Sequence, residues 1–209
     1  MEEVGEVMNY QLVLDETIKN LKGTPKLLLH ACCAPCSSYC IEYLSNYFEI
    51  TIYYYNPNID TKDEYDYRFS ELERFISEFK TKNPVHLINA GYHKEDFEMI
   101  SKGLENEPER GARCLKCYRL RLDKTYQFAQ ENNFDYITTT LTLSPHKNSQ
   151  VINEIGSKLE EIYQVPYLYS DFKKREGYKR SIILSREYNL YRQDYCGCIY
   201  SKKNRNLLH

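Results

Sequence analysis

Hydrophobic periodicity in this chain switches repeatedly between the two-residue alternation of a strand and the longer repeat of a helix, and that switching leaves few folds open. Residues 26–31 (KLLLHA), 50–55 (ITIYYY), 85–89 (VHLIN) and 136–142 (YITTTLT) are short β-type runs, and a last short strand is expected from Val165 to Tyr169. Between them, Phe69, Leu72, Ile76 and Phe79 mark one face of a helix over residues 63–80. Ile152, Ile155, Leu159 and Ile162 do the same over residues 148–164. Alternating strands and helices predict an α/β fold with a parallel sheet, helices on both faces, and ligands beyond the carboxyl ends of the strands. A length of 209 residues supports one substantial core, with room for a small appendage.

The eight cysteines are Cys40 and three tight groups: Cys32-Cys33-x-x-Cys36, Cys114-x-x-Cys117 and Cys196-Gly197-Cys198. The first group follows the first strand directly, where a functional loop belongs. Structural disulfides, a structural zinc site and an iron–sulfur or redox site compete for these thiols. Disulfides belong to oxidising compartments. The opening MEEVGEVMNYQLVLDETIKNLKG is acidic and amphipathic, with neither a basic n-region nor an apolar h-region. No run approaches the roughly 20 apolar residues that cross a bilayer. The chain therefore reads as cytoplasmic, with no membrane partner and with thiols reduced unless catalytic.

Cys32 and Cys33 are neighbours and would point to opposite faces of a strand, so both serve one centre only if the chain turns there. Pro35 favours that turn, and Ser37 or Ser38 is expected to cap a helix running to Tyr47. Cys36 then falls near a helix N-terminus, where the dipole lowers a thiol pKa, whereas Cys40 shares a face with Leu44 and reads as core. Cys114 and Cys117 share a helix face and can reach one metal. With Cys32 and Cys33 they make four thiolates, which suits Cys₄ zinc and a [4Fe–4S] cluster equally. A disulfide across Gly197 would be strained and easily reduced, which favours a redox role for Cys196 and Cys198; an additional metal-ligand pair is the alternative.

A net charge of −2 means that binding to a polyanion needs local basic patches. Lys173, Lys174, Arg175, Lys179 and Arg180 crowd around Tyr178, and Lys202, Lys203 and Arg205 follow the last cysteine pair. Such residues suit RNA phosphates, against the plainer reading of a solvated helix face. The 21 tyrosines offer surfaces for base stacking, though a compositional bias explains them as well. Tyr55, Asp60, Tyr65 and His146 are candidate acids that no spacing singles out. His30 sits in an apolar run and reads as a hydrogen-bonded core histidine; His86, His93 and His209 carry no pairing signal.

The stretches LLLHACCAPCSSYCIEYL, YYYNPNI followed by EYDYR, ERGARCLKCYRLRL, TTTLTLSPHKNSQVINEIG, YSDFKKREGYKRS and YRQDYCGCIYS resemble the cobalamin-independent epoxyqueuosine reductase family of tRNA modification enzymes. The resemblance runs from residue 27 to 201, so residues 1–22 are read as an N-terminal extension and 23–209 as one catalytic domain that includes the C-x-C segment. It implies a Rossmann-like, adenine-nucleotide-hydrolase-like α/β fold. It also implies a reductase that removes the epoxide oxygen of epoxyqueuosine at the tRNA wobble position to give queuosine. Its partners would be that tRNA and an electron-donor protein or other reductant. By the family pattern, Cys32, Cys33, Cys114 and Cys117 hold a [4Fe–4S] cluster and Cys196 and Cys198 form a redox-active pair. HACCAPCS stands where ATP-dependent relatives carry a phosphate loop, so nucleotide hydrolysis is not expected.

Removing the oxygen takes two electrons, and a cluster moves one at a time. A second reservoir is therefore expected: the Cys196/Cys198 dithiol, or a mononuclear iron at Cys36, Cys196, Cys198 and Asp194 acting as Lewis acid, with Asp171 as a further catalytic candidate. Two rival readings are an iron–sulfur tRNA sulfur-transfer enzyme, which the missing phosphate loop argues against, and a zinc-stabilised RNA-binding module, which leaves the C-x-C without a purpose.

Overall fold

The computed structural model describes residues 8–206. Its strands are β1 (Lys26–His30), β2 (Glu49–Tyr54), β3 (Val85–Asn89) and β4 (Tyr136–Thr139), joined as one parallel sheet in the order β3-β2-β1-β4. Three consecutive leucines in β1 show why helices cover both faces. Leu27 and Leu29 enter one apolar core and Leu28 enters another, because successive side chains leave a strand on opposite sides. The first core is closed by α1 (Tyr10–Lys19), α2 (Ala34–Leu44) and α3 (Lys62–Glu78), with α7 (Gly177–Glu187) packed on α2. The second is closed by α5 (Ala112–Glu131) and α6 (Ser149–Tyr163). Helix α4 (Lys94–Ser101) lies against α5, and α8 (Ile199–Asn206) follows the last cysteine pair. Among the described residues, no helix is long and apolar enough to cross a membrane.

His30, at the end of β1, stands opposite Tyr53 of β2 and Thr139 of β4. The chain passes from β1 to β2 on one side and reaches β4 on the other, so a crevice opens beyond the ends of β1 and β4, where parallel sheets bind ligands.

Three local expectations change. The run over residues 136–142 stops as a strand at Thr139, whose hydroxyl accepts from the Leu141 amide (3.1 Å) and turns residues 140–143 into a 3₁₀ turn. Val165–Tyr169 makes only an isolated bridge, Ile137 with Tyr167. The Thr138 hydroxyl, not a backbone amide, takes the Leu168 carbonyl (2.8 Å), and the ladder ends there. On α6 the buried stripe is Ile152, Gly156 and Leu159, continued by half-buried Tyr163, whereas Ile162 is 58% exposed. Ten residues rotate a helix well off its starting face and eleven nearly restore it, so the stripe passes Ile162 by. Gly156 is required on that stripe, because a Cβ there would meet the Tyr167 ring at 2.5 Å.

Helix α1, from the N-terminal stretch, packs onto the sheet domain. Leu14 has no exposure and belongs to the first core, Tyr10 stacks on Tyr169 at 6.0 Å, and Asp15 pairs with Arg175. Many tyrosines are spent in this way on packing: Tyr54, Tyr65, Tyr126 and Tyr167 are all core residues.

Candidate metal and redox site

The first cysteine group is shaped by the start of α2. Cys33 is the N-cap residue, with extended φ −174 and ψ 161, and Pro35 occupies the first turn, where its missing N–H costs nothing. Ser37 and Ser38 therefore do not cap. Their hydroxyls donate back to the carbonyls of Cys33 (2.7 Å) and Pro35 (3.0 Å), and the helix ends at Leu44 rather than Tyr47. An N-cap side chain and the third helical residue face each other, so Cys33 and Cys36 meet Cys32. The three sulfurs lie within 4.8 Å of one another, with Cys32 and Cys33 at 3.7 Å. The Cys33 and Cys36 thiols, with the positive charges of Arg121 and Lys147, hold Cys32 well below the usual thiol range. Cys33 is correspondingly pushed up to about 12 beside Cys32, and Cys36 well above the ordinary range by Cys32 and Cys33. The neighbouring sulfurs thus outweigh the helix dipole at Cys36. Cys40 is fully buried in the first core, as its face predicts.

Helix α5 begins after Gly111 and carries Cys114, Cys117 and Arg121 on one face. Arg121 is 1% exposed and, among the described residues, has no carboxylate in ion-pair range. Its Nε donates to His30 Nε2 (3.2 Å) and its Nη2 to Asn56 Oδ1 (2.6 Å). Since Nε2 accepts, His30 Nδ1–H donates to Thr139 Oγ1 (2.8 Å). Burial and the adjacent guanidinium lower His30 to about 3, so it is the neutral core histidine that the apolar run predicts. A buried guanidinium needs negative neighbours, and beside Arg121 the sulfur driven toward its thiolate is that of Cys32, whereas burial pushes the neighbouring Cys117 up to about 12. Arg68 of α3 is a second buried cation; it pairs with Glu64 (2.7 Å) and faces Cys33. Among the described residues, the group close enough to hold a metal is Cys32, Cys33 and Cys36 of the β1–α2 turn, and Cys114 and Cys117 of α5 are not within that range of it.

The third group turns through Gly197 at φ +114, a conformation that favours glycine, and a Cβ there would press on Arg68 Nη1 at 3.1 Å. The Gly197 carbonyl accepts from the Asp60 amide at 2.9 Å, which ties the segment to the loop after β2. Cys196 lines a cavity of about 290 Å³ in the crevice, together with Cys32, Cys36, Lys147 and Asp194. Cys198 does not line it. It is 8% exposed, packed with Phe97 and Cys117, and its sulfur accepts from the Ser201 amide at 3.4 Å. No disulfide joins any two of the eight cysteines.

The structure therefore brings Cys32, Cys36, Cys196 and Asp194 to one cavity, while Cys33, Cys114, Cys117 and Cys198 stand outside its lining. Asp194 also pairs with Arg205. Asp171 is not brought there: it accepts from Ser149 (3.0 Å) and pairs with Lys173 (2.8 Å) at the turn before α7. In the basic segment Arg175 pairs with Asp15, Lys179 with Glu176 and Arg180 with Glu42 and Glu187, so only Lys174 is exposed with no ion pair among the described residues. Of the candidate acids, Tyr55 and Tyr65 are committed to Asp96 and Asn89, Asp60 pairs with Lys202 (3.5 Å), and His146 is exposed at the cavity. His209 lies outside the described residues. Sequence reasoning assigned nothing to Arg68, Arg121 or Lys147. The one available signal was the spacing of Arg121, four residues after Cys117 and on its face.

A parallel α/β sheet with clustered thiols at its switch point defines a class of α/β protein whose cysteine site can hold a metal. The sequence matches the family described as Epoxyqueuosine reductase QueH over residues 27–204. It is 46% identical to the Epoxyqueuosine reductase QueH of Streptococcus pyogenes serotype M1 over 97% of this chain and 82% of the relative. The same-named protein of Staphylococcus aureus is 42% identical over 98% and 90%, and that of Thermotoga maritima 31% identical over 88% and 93%. The chain belongs to the epoxyqueuosine reductase QueH family.

Proposed function

We propose that this protein reduces the epoxide of epoxyqueuosine at the wobble position of tRNA to the alkene of queuosine. It would act in the cytoplasm on tRNA as substrate, with an electron-donor protein or other reductant as partner. The observation that carries the reading, beside family membership, is the lining of one cavity by Cys32, Cys36 and Cys196 beside a buried guanidinium that, among the described residues, has no carboxylate in ion-pair range. Cys32, Cys33, Cys114 and Cys117 would hold a [4Fe–4S] cluster, which supplies electrons singly when bound. In the alternative to a redox dithiol, Cys36, Asp194 and Cys196, which line the cavity, would with Cys198 behind it hold a mononuclear iron that supplies Lewis-acid chemistry.

The chain's own residues have three tasks. The cavity excludes bulk water from the epoxide. Cys196 is the member of the C-x-C that lines it, and Cys198 stands behind, packed with Cys117. Conversion of the epoxide to alkene and water consumes two electrons and two protons, a demand that the dithiol of Cys196 and Cys198 matches by becoming a disulfide. Among the basic residues of 173–180, Lys174 is the one left to meet an RNA phosphate.

The test is iron, acid-labile sulfide and zinc per chain on anaerobically purified protein, followed by turnover of epoxyqueuosine-tRNA with a chemical reductant. About four irons and four sulfides with formation of queuosine are expected. One zinc without sulfide and without turnover would overturn the reading in favour of a zinc-stabilised RNA-binding module.

A further inference from the structure

Lys147 lines the cysteine cavity, and among the described residues its ammonium has no hydrogen-bonded or ion-paired partner. It ends the turn that follows the 3₁₀ segment, its amide donating to the Ser144 carbonyl (3.1 Å), directly before Asn148 caps α6. It therefore approaches from the β4 side of the crevice, whereas Cys32 and Cys36 approach from the β1 side and Cys196 from the C-terminal segment.

The other cations nearby are already engaged. Arg121 donates to His30 and Asn56. Arg192 donates to Ser185 Oγ (3.1 Å) and lies over the Tyr178 ring at 5.8 Å. Glu109 and Asp194 also line the cavity, yet no carboxylate comes within ion-pair range of Lys147 among the described residues. Burial alone would depress its ammonium, but Cys196 and Cys32 outweigh that and keep it charged. A half-buried ammonium at the cavity wall that no protein group engages is free to donate to a ligand seated there.

We propose that Lys147 is a substrate-contacting residue of the reductase, whose ammonium donates a hydrogen bond to the epoxide oxygen. The proposal rests on the reductase reading above. Both carbon–oxygen bonds to that oxygen break, two electrons enter from the reductant that the activity requires, and two protons carry the oxygen away as water. Charge gathers on the oxygen as the bonds break, and a donor already oriented there favours the transition state over the bound epoxide. The same bond distinguishes substrate from product, since the alkene has no oxygen at that position to accept it.

The full-length, metal-loaded protein and its Lys147→Met and Lys147→Arg variants test this. Three quantities are measured: iron and sulfide per chain, steady-state turnover of epoxyqueuosine-tRNA, and affinities for epoxyqueuosine-tRNA and queuosine-tRNA without reductant. Lys147→Met is expected to keep its iron, lose about a hundredfold in kcat, and bind the two tRNAs equally where the wild type prefers the epoxide. Lys147→Arg is expected to recover at least part of both the rate and the preference. Loss of iron in Lys147→Met would overturn the proposal by making Lys147 a counter-ion of the thiolates. Wild-type kcat in Lys147→Met, or an unchanged preference, would overturn it too. A wild-type protein that leaves epoxyqueuosine-tRNA intact would remove the reductase reading itself, and this inference with it.

Discussion

Arg121 is where charge, burial and chemistry converge on a single side chain. Its guanidinium holds His30 and Asn56 in place on one side and meets sulfur on the other. Arg121→Met should therefore do two separable things. It leaves the acceptors on His30 and Asn56 without a donor, a loss of about 1–3 kcal/mol for each buried group. It also removes the positive charge beside Cys32 and Cys117, so iron per purified chain should fall by more than half. Chemical denaturation reads the first effect and iron assay the second; full iron occupancy would show that the thiolate site does not depend on this counter-charge. At this scale the sequence was legible for His30 and Cys40, whose neighbours are apolar. Arg121 was not, because an arginine in YRLRLDK looks like part of a solvated face until packing shows which side of the helix is buried.

Among the elements, strands β1 to β4 and helices α3 and α6 follow from periodicity with small shifts at their ends, and α5 begins just before the pair of cysteines whose spacing put them on one helix face. The start of α2 does not, because serine's preference for the cap position yields to a proline two residues earlier. That one shift decides which sulfurs meet: it puts Cys36 with Cys32 and Cys33, a grouping that spacing alone does not encode. Helix α1 lies before the residues matched by the family, yet Leu14 sits fully inside the first core. Leu14→Ala should cost about 2–5 kcal/mol, as large-to-small changes in a packed core do. A thermal melt of the metal-loaded protein is expected to show a fall of several degrees. An unchanged melting temperature would mean that α1 contributes little to the stability of the domain.

At the scale of the whole molecule, net charge and ion pairing set the terms for an RNA partner. The chain carries −2 overall, and most of its conspicuous basic cluster is already neutralised by carboxylates from α1, α2 and α7. Few phosphates can then be contacted, and the dependence of tRNA affinity on salt should be shallow. Lys174→Ala should reduce the slope of log K against log salt by about 0.7–0.9, the contribution of one phosphate. Arg180→Ala should change it less, since that side chain is held by Glu42. Anisotropy titrations over a series of KCl concentrations would compare them, and a larger slope change for Arg180→Ala would reverse the ranking. The crevice was legible in advance as the place for ligands, because strand–helix alternation fixes where a parallel sheet binds. Its cations were not, because they come from three elements that only the completed fold brings together.

Cys33 serves two masters. It begins α2 and it belongs to the thiol cluster, but a cysteine makes no side-chain hydrogen bond to the first turn. Serine or aspartate would cap that helix better. Laboratory evolution for heat tolerance alone would therefore drift toward replacing it, yielding sturdier variants that had surrendered a sulfur. The uncapped start of α2 is the stability given up by a cysteine at that position.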